Sequence, residues 1–70
     1  MKRWSKQTDK KEGSNIVDDF VRDILVVCKN HNLSISHEDG HGAFIIERYD
    51  PYLADWFNVA QIGRSLFIKE

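Results

Sequence analysis

The pattern that most constrains this chain is the alternation Leu33-Ser34-Ile35-Ser36-His37. It is followed, after Glu38-Asp39-Gly40-His41, by the strand-forming run Gly42-Ala43-Phe44-Ile45-Ile46-Glu47-Arg48. Side chains in a strand alternate between faces, so two such runs around Asp-Gly predict a β-hairpin. A two-residue type I′ turn at Asp39-Gly40 sets His37 against Gly42, Ile35 against Phe44 and Leu33 against Ile46. One face then collects Leu33, Ile35, Phe44 and Ile46, expected to point inward, and the other collects Ser34, Ser36, Ala43, Ile45 and Glu47. A slip of one residue would destroy that sorting.

A helix is predicted on each side of the hairpin. Ile16, Val17, Phe20, Val21, Ile24, Leu25 and Cys28 recur at spacings of three and four, one apolar helical face. Asn15 is read as its N-cap, with Asp18 in the first turn, and Asn30 to Asn32 as its left-handed end. Asp50-Pro51 starts the second helix, with the proline where its missing N–H costs nothing. Leu53, Trp56, Phe57 and Ala60 form that helix's expected buried stripe, Gly63 its stop, and residues 65 to 69 a short strand or packed tail. The fold expected is α+β: helix, β-hairpin, helix, with a short C-terminal strand, in a single small domain over residues 14–70.

Residues 1–13 read differently. Lys2, Arg3, Lys6, Lys10 and Lys11 against Asp9 and Glu12 give a local balance of +3, and the whole chain carries −1, so the remainder carries −4. With one large apolar residue, Trp4, and no periodicity, this stretch is expected to be a mobile basic tail. The other reading makes it an arm that contacts phosphates, with Trp4 stacking on a base.

With 70 residues the chain has room for one domain, and no apolar run approaches the ~18 residues of a membrane span. A single cysteine allows no internal disulfide, which fits a reducing, cytoplasmic compartment. A core this small asks nearly every large apolar residue to be buried, and a second copy of the chain, a homodimer, would relieve that demand.

His37-Glu38-Asp39-Gly40-His41 spells H-E-x-x-H. The zinc-protease motif needs a helix to stack its two histidines, whereas Asp-Gly flanked by alternating strands calls for a turn. No metal, cofactor or catalytic residue is therefore expected. The hairpin tip is the candidate binding site instead: Ser36, His37, Glu38, Asp39 and His41 concentrate hydrogen-bonding groups on a rigid turn. Arg48, Tyr49 and Tyr52 offer a second, aromatic and basic surface. Cys28 reads as core filler, and Asp18, Asp19 and Asp23 as a solvated face, with mimicry of a phosphate backbone as the alternative.

The segment Asn32 to Asp50, followed by the Leu53-Ala54-Asp55-Trp56-Phe57 helix, resembles small proteins of phages and prophages of Gram-positive bacteria. Those carry an S-H-E-D-x-H-G-A-F type segment, here Ser36 to Phe44. The likeness covers about Ile16 to Ala60 and assigns no activity to any residue. It implies a context, that of short accessory proteins that bind, inhibit or redirect a host enzyme or defence factor. The function expected is non-enzymatic binding of a host or defence protein. The alternatives are a nucleic-acid-binding module using the basic tail, and an oligomer that sequesters a small signalling nucleotide near Arg48, Tyr49, Tyr52 or His41.

Overall fold

The computed structural model describes residues 1–40 and 42–66. The chain runs β1 (Lys2–Ser5), β2 (Lys10–Gly13), α1 (Asn15–His31), β3 (Leu33–His37), β4 (Phe44–Arg48) and α2 (Pro51–Asn58). The strands form two separate antiparallel pairs, β1 with β2 and β3 with β4. The α+β composition stands, but the expected order is corrected: a hairpin precedes the first helix, where a tail was expected.

That hairpin forms from residues with little strand preference because polar groups fix its turn and its own Arg3, bound to groups distant in sequence, fixes its inner face. Ser5 accepts at Oγ from the amides of Gln7 and Thr8, the Asp9 amide donates to the Ser5 carbonyl, and Asp9 takes the left-handed conformation at φ 58°. Arg3 and Ser5 point inward and are buried, while Trp4 points outward. Ile62 then docks alongside β1: its amide donates to the Trp4 carbonyl and its carbonyl accepts from the Lys6 amide, both at 2.9 Å. This one-residue parallel bridge is the C-terminal segment's described pairing. Gly63 to Leu66 continue without strand pairing, and the end of the expected strand, residues 67 to 69, lies outside the described residues.

The limits of α1 are local chemistry. Ser14, in place of Asn15, is the N-cap and accepts from the Val17 amide. Asn32 ends the helix at φ 58° and ψ 37°, its amide returning to the Cys28 and Lys29 carbonyls, as asparagine at a left-handed cap allows. In α2, Asp50 caps at Oδ1 the Tyr52 amide and Pro51 takes the first turn. This helix stops at Asn58, short of Gly63.

The β3–β4 hairpin keeps the expected faces but not the expected register. Ile35 pairs with Ile46 and His37 with Phe44, two residues along from the sequence reading. The loop is wider than two residues. The Glu38 amide donates to the Ala43 carbonyl at 2.8 Å, the Gly42 amide donates to the Glu38 carbonyl at 3.0 Å, and Gly42 is left-handed at φ 70°. Asp39 and Gly40 lack the positive φ that a type I′ turn requires at both positions. Because a slip of two preserves side-chain parity, the sorting of faces could not separate these two registers.

Both helices pack on β3 and on each other, whereas β4 packs on β3 alone. Among the described residues the buried apolar ones are Val21, Cys28 and Ile62. Ile16 and Phe20, expected in the first helix's buried stripe, are exposed, and so is Trp56 of the second. The chain consequently presents 5658 Å² of accessible surface, against about 4,500 Å² for a compact monomer of its mass. Its radius of gyration of 13.2 Å likewise exceeds the roughly 11 Å of a compact chain of this length.

Candidate functional site

The covered face of the β3–β4 sheet is the serine face. Ser34 and Ser36 are buried, and their small side chains carry specific bonds. Ser34 Oγ accepts from the Asp50 amide at 2.8 Å, which ties β3 to the start of α2, and Ser36 donates to Glu47 Oε2 at 3.1 Å. The apolar face points the other way: Phe44 is 74% exposed, Ile46 61% and Leu33 42%. The expectation that Leu33, Ile35, Phe44 and Ile46 form the core is therefore corrected; Ile35 alone of the four is half-buried. The reason lies in the serines. A strand can approach two helices closely where its side chains are small, and the hydroxyls satisfy themselves on nearby backbone and carboxylate groups.

Beside Phe44 the apolar face runs into a groove of about 470 Å³ lined by Phe44, Trp56, Phe57, Val59, Ala60 and Gln61. Trp56 and Val59 are exposed there. Monomeric proteins seldom present large contiguous apolar surface without a use for it, so this face and groove form the candidate site.

The structure disperses the residues singled out at the hairpin tip. Ser36 is buried in its bond to Glu47. His37 lies on the outward face with its ring edge-on to Phe44, centroids 5.7 Å apart, and its Nδ1 is 3.9 Å from Asp39 Oδ1. Glu38 closes the loop through its backbone, Asp39 is fully exposed, and His41 lies outside the described residues. Residues 37 to 40 are strand and turn rather than helix, and no group of three or more His, Cys, Asp or Glu is placed for a metal among the described residues. Arg48, Tyr49 and Tyr52 do not converge. Arg48 shares the outward face with Ile46, Tyr49 packs near Leu25, Cys28, Leu53 and Ala54, and Tyr52 stands in solvent.

The strongest electrostatic feature is structural. Arg3, 2% exposed, donates from Nε and Nη2 to Asp18 Oδ1 at 2.9 and 2.6 Å, and from Nη1 to the carbonyls of Asn58 and Ala60 at 2.7 and 2.9 Å. One guanidinium thereby joins β1, the first turn of α1 and the C-terminal end of α2, where a cation complements the helix dipole. Hydrogen bonding by Arg3, and then by the Met1 ammonium, holds the Asp18 carboxyl below its ordinary value of 3.8. Sequence reasoning missed this role. Arg3 reaches the α2 end from more than fifty positions away, and no periodicity records such a contact.

No family model matches the chain, and no solved structure matches it. Among curated proteins it is similar to an indole diterpene prenyltransferase of Penicillium paxilli, 33% identical over 64 residues. The match takes in 91% of this chain, which spans 14% of the length of that relative. No helix among the described residues is long and apolar enough to cross a membrane.

Proposed function

We propose that this chain is a small non-enzymatic binding protein of the phage accessory type. It works in the bacterial cytoplasm by covering the surface of a host or defence protein through its outward sheet face. The observation that supports this reading is the inverted sheet, with serines buried and Phe44, Ile46 and Leu33 turned to solvent beside the Trp56 groove. Such an arrangement suits an apolar, steric contact and the burial of aromatic anchors. Prenyl transfer is not carried over from the curated relative, since the matched stretch is a seventh of that enzyme.

The test compares captures from a host lysate by the wild-type chain, by Phe44→Ser/Ile46→Thr and by Asp19→Asn/Asp23→Asn on the exposed helix surface. The expected result is a captured protein lost with the first variant and kept with the second. Capture indifferent to the sheet face contradicts the reading, and loss with the helix variant alone moves the contact to α1.

A second reading draws on a separate observation. On the outer face of the first hairpin, Trp4 stands opposite Lys11 with Lys2 beside it, all exposed, an aromatic among cations of the kind that binds single-stranded nucleic acid. Retention on single-stranded DNA that falls with salt and with Trp4→Ala would favour it. The burial of Arg3 removes one cation from that surface.

A further inference from the structure

The edge of the sheet carries a second kind of information, in backbone rather than side chains. In an antiparallel ladder, residues alternate between exchanging backbone bonds with the partner strand and turning those groups away. The Glu38 amide bonds to the Ala43 carbonyl and the Tyr49 amide to the Asn32 carbonyl. With the observed register, Ala43, Ile45, Glu47 and Tyr49 are therefore the positions whose backbone faces β3. The N–H and C=O groups of Phe44, Ile46 and Arg48 point to the outer edge, where no strand pairs among the described residues. β4 has no proline, lysine or bulge, and its two charged residues, Glu47 and Arg48, both lie at its C-terminal end, leaving Phe44 to Ile46 without an edge-protecting charge.

We propose that β4 pairs antiparallel with β4 of a second copy, in a register centred on Ile46. Symmetry and charge select this register. Centring on Ile46 opposes Phe44 with the copy's Arg48, Ile46 with its own counterpart, and Arg48 with the copy's Phe44. All three are outward positions, so each pair exchanges two backbone hydrogen bonds. Arg48 is brought to the face of an aromatic ring, which favours a cation. A centre on Glu47 would set two carboxylates against each other, and a centre on Ile45 would leave Arg48 opposite Gly42, outside the strand. A centre between two residues would match outward groups with inward ones and break the ladder. The contact closes on itself as a two-fold dimer. It joins the two hairpins into one continuous sheet with β4 and its copy at the centre, and sets the two apolar faces side by side. Edge pairing rests on backbone geometry and stands apart from the role proposed for the face.

Three variants test it by sedimentation at sub-millimolar concentration, with folding followed by circular dichroism. The wild-type chain is expected to be a dimer. Ile46→Lys and Ile46→Glu, each placing like charges opposite each other, are expected to sediment at half that mass, and their equimolar mixture to recover a dimer containing one of each. Ile46→Pro is expected to be monomeric and folded, because the N–H it removes does not bond to β3. A monomeric wild type overturns edge pairing and leaves the host-contact reading intact. Folded dimers of Ile46→Pro, or of both charged variants separately, overturn it as well. Should Ile46→Pro fail to fold, the charged pair decides: a mixture that stays monomeric counts against the register.

Discussion

Replacing Arg3 with methionine is expected to cost about 3 kcal/mol, because it leaves two part-buried carbonyl acceptors without their charged donor and Asp18 with the Met1 ammonium as its remaining cation. Methionine fills much of the same space, so the loss is electrostatic and hydrogen-bonded rather than a cavity. The Asn58 and Ala60 carbonyls at the end of α2 lose their partner, and the hairpin, α1 and α2 lose the side chain that joins them. In a chain of this length, a loss of that size lowers the melting temperature by roughly 12–24 °C. A thermal scan of Arg3→Met within a few degrees of wild type would show that the guanidinium is a passenger. The same contact gives the chain an acid response. Because Asp18 is held below its ordinary value in the folded state, it contributes stability that is complete above the unfolded value. That contribution is lost as the pH falls below 3.8 through the folded value. Urea midpoints measured down that range should fall less steeply in Asp18→Asn, which has no carboxyl to protonate.

Ile62→Ala is the second large effect. Ile62 is wholly buried, and truncating a buried isoleucine to alanine costs about 2–5 kcal/mol. Its backbone bonds to β1 survive the substitution, so the loss measures side-chain burial. Phe44→Ala removes a larger apolar side chain from solvent and should change stability by no more than about 0.5 kcal/mol in the monomer. Denaturant titration of the two variants should separate them clearly. Equal losses would mean that Phe44 is packed as deeply as Ile62.

What the sequence made legible was local. The Asn32 cap, the Asp50-Pro51 start and the pairing of faces in the second hairpin follow from bonds made within a few residues. The cap read at Asn15 falls one residue earlier, on Ser14, whose hydroxyl accepts from the Val17 amide. Alternation showed that Leu33, Ile35, Phe44 and Ile46 share a face, but periodicity does not say which of two faces a helix will cover. The small serines at 34 and 36 were the available signal, since a strand bearing them on one side can lie close to its neighbours. The core's demand for burial was a second signal, because it already called for more covering surface than the chain could supply.

The first hairpin was hidden for a different reason. Lys-Arg-Trp-Ser and Lys-Lys-Glu-Gly show little strand preference, and what stabilises them is the Ser5 turn, the Arg3 contacts and the docking of Ile62. At the candidate site, the hairpin-tip residues were recognised as polar and exposed, yet Ser36 is committed to Glu47, and the exposed apolar residues of the proposed contact surface lie on the adjoining face. A polar loop advertises binding in sequence, whereas an apolar face turned outward reads in sequence as core.

Thermal unfolding of Phe44→Ser/Ile46→Thr, measured dilute enough that the wild type is monomeric, tests most directly whether that face is a contact surface or a core. An outward face predicts a melting temperature within about 5 °C of wild type, since exposed substitutions change stability little, together with weaker binding of a fluorescent apolar dye. A collapse of the melting transition, as the loss of two core side chains would produce, would contradict the account.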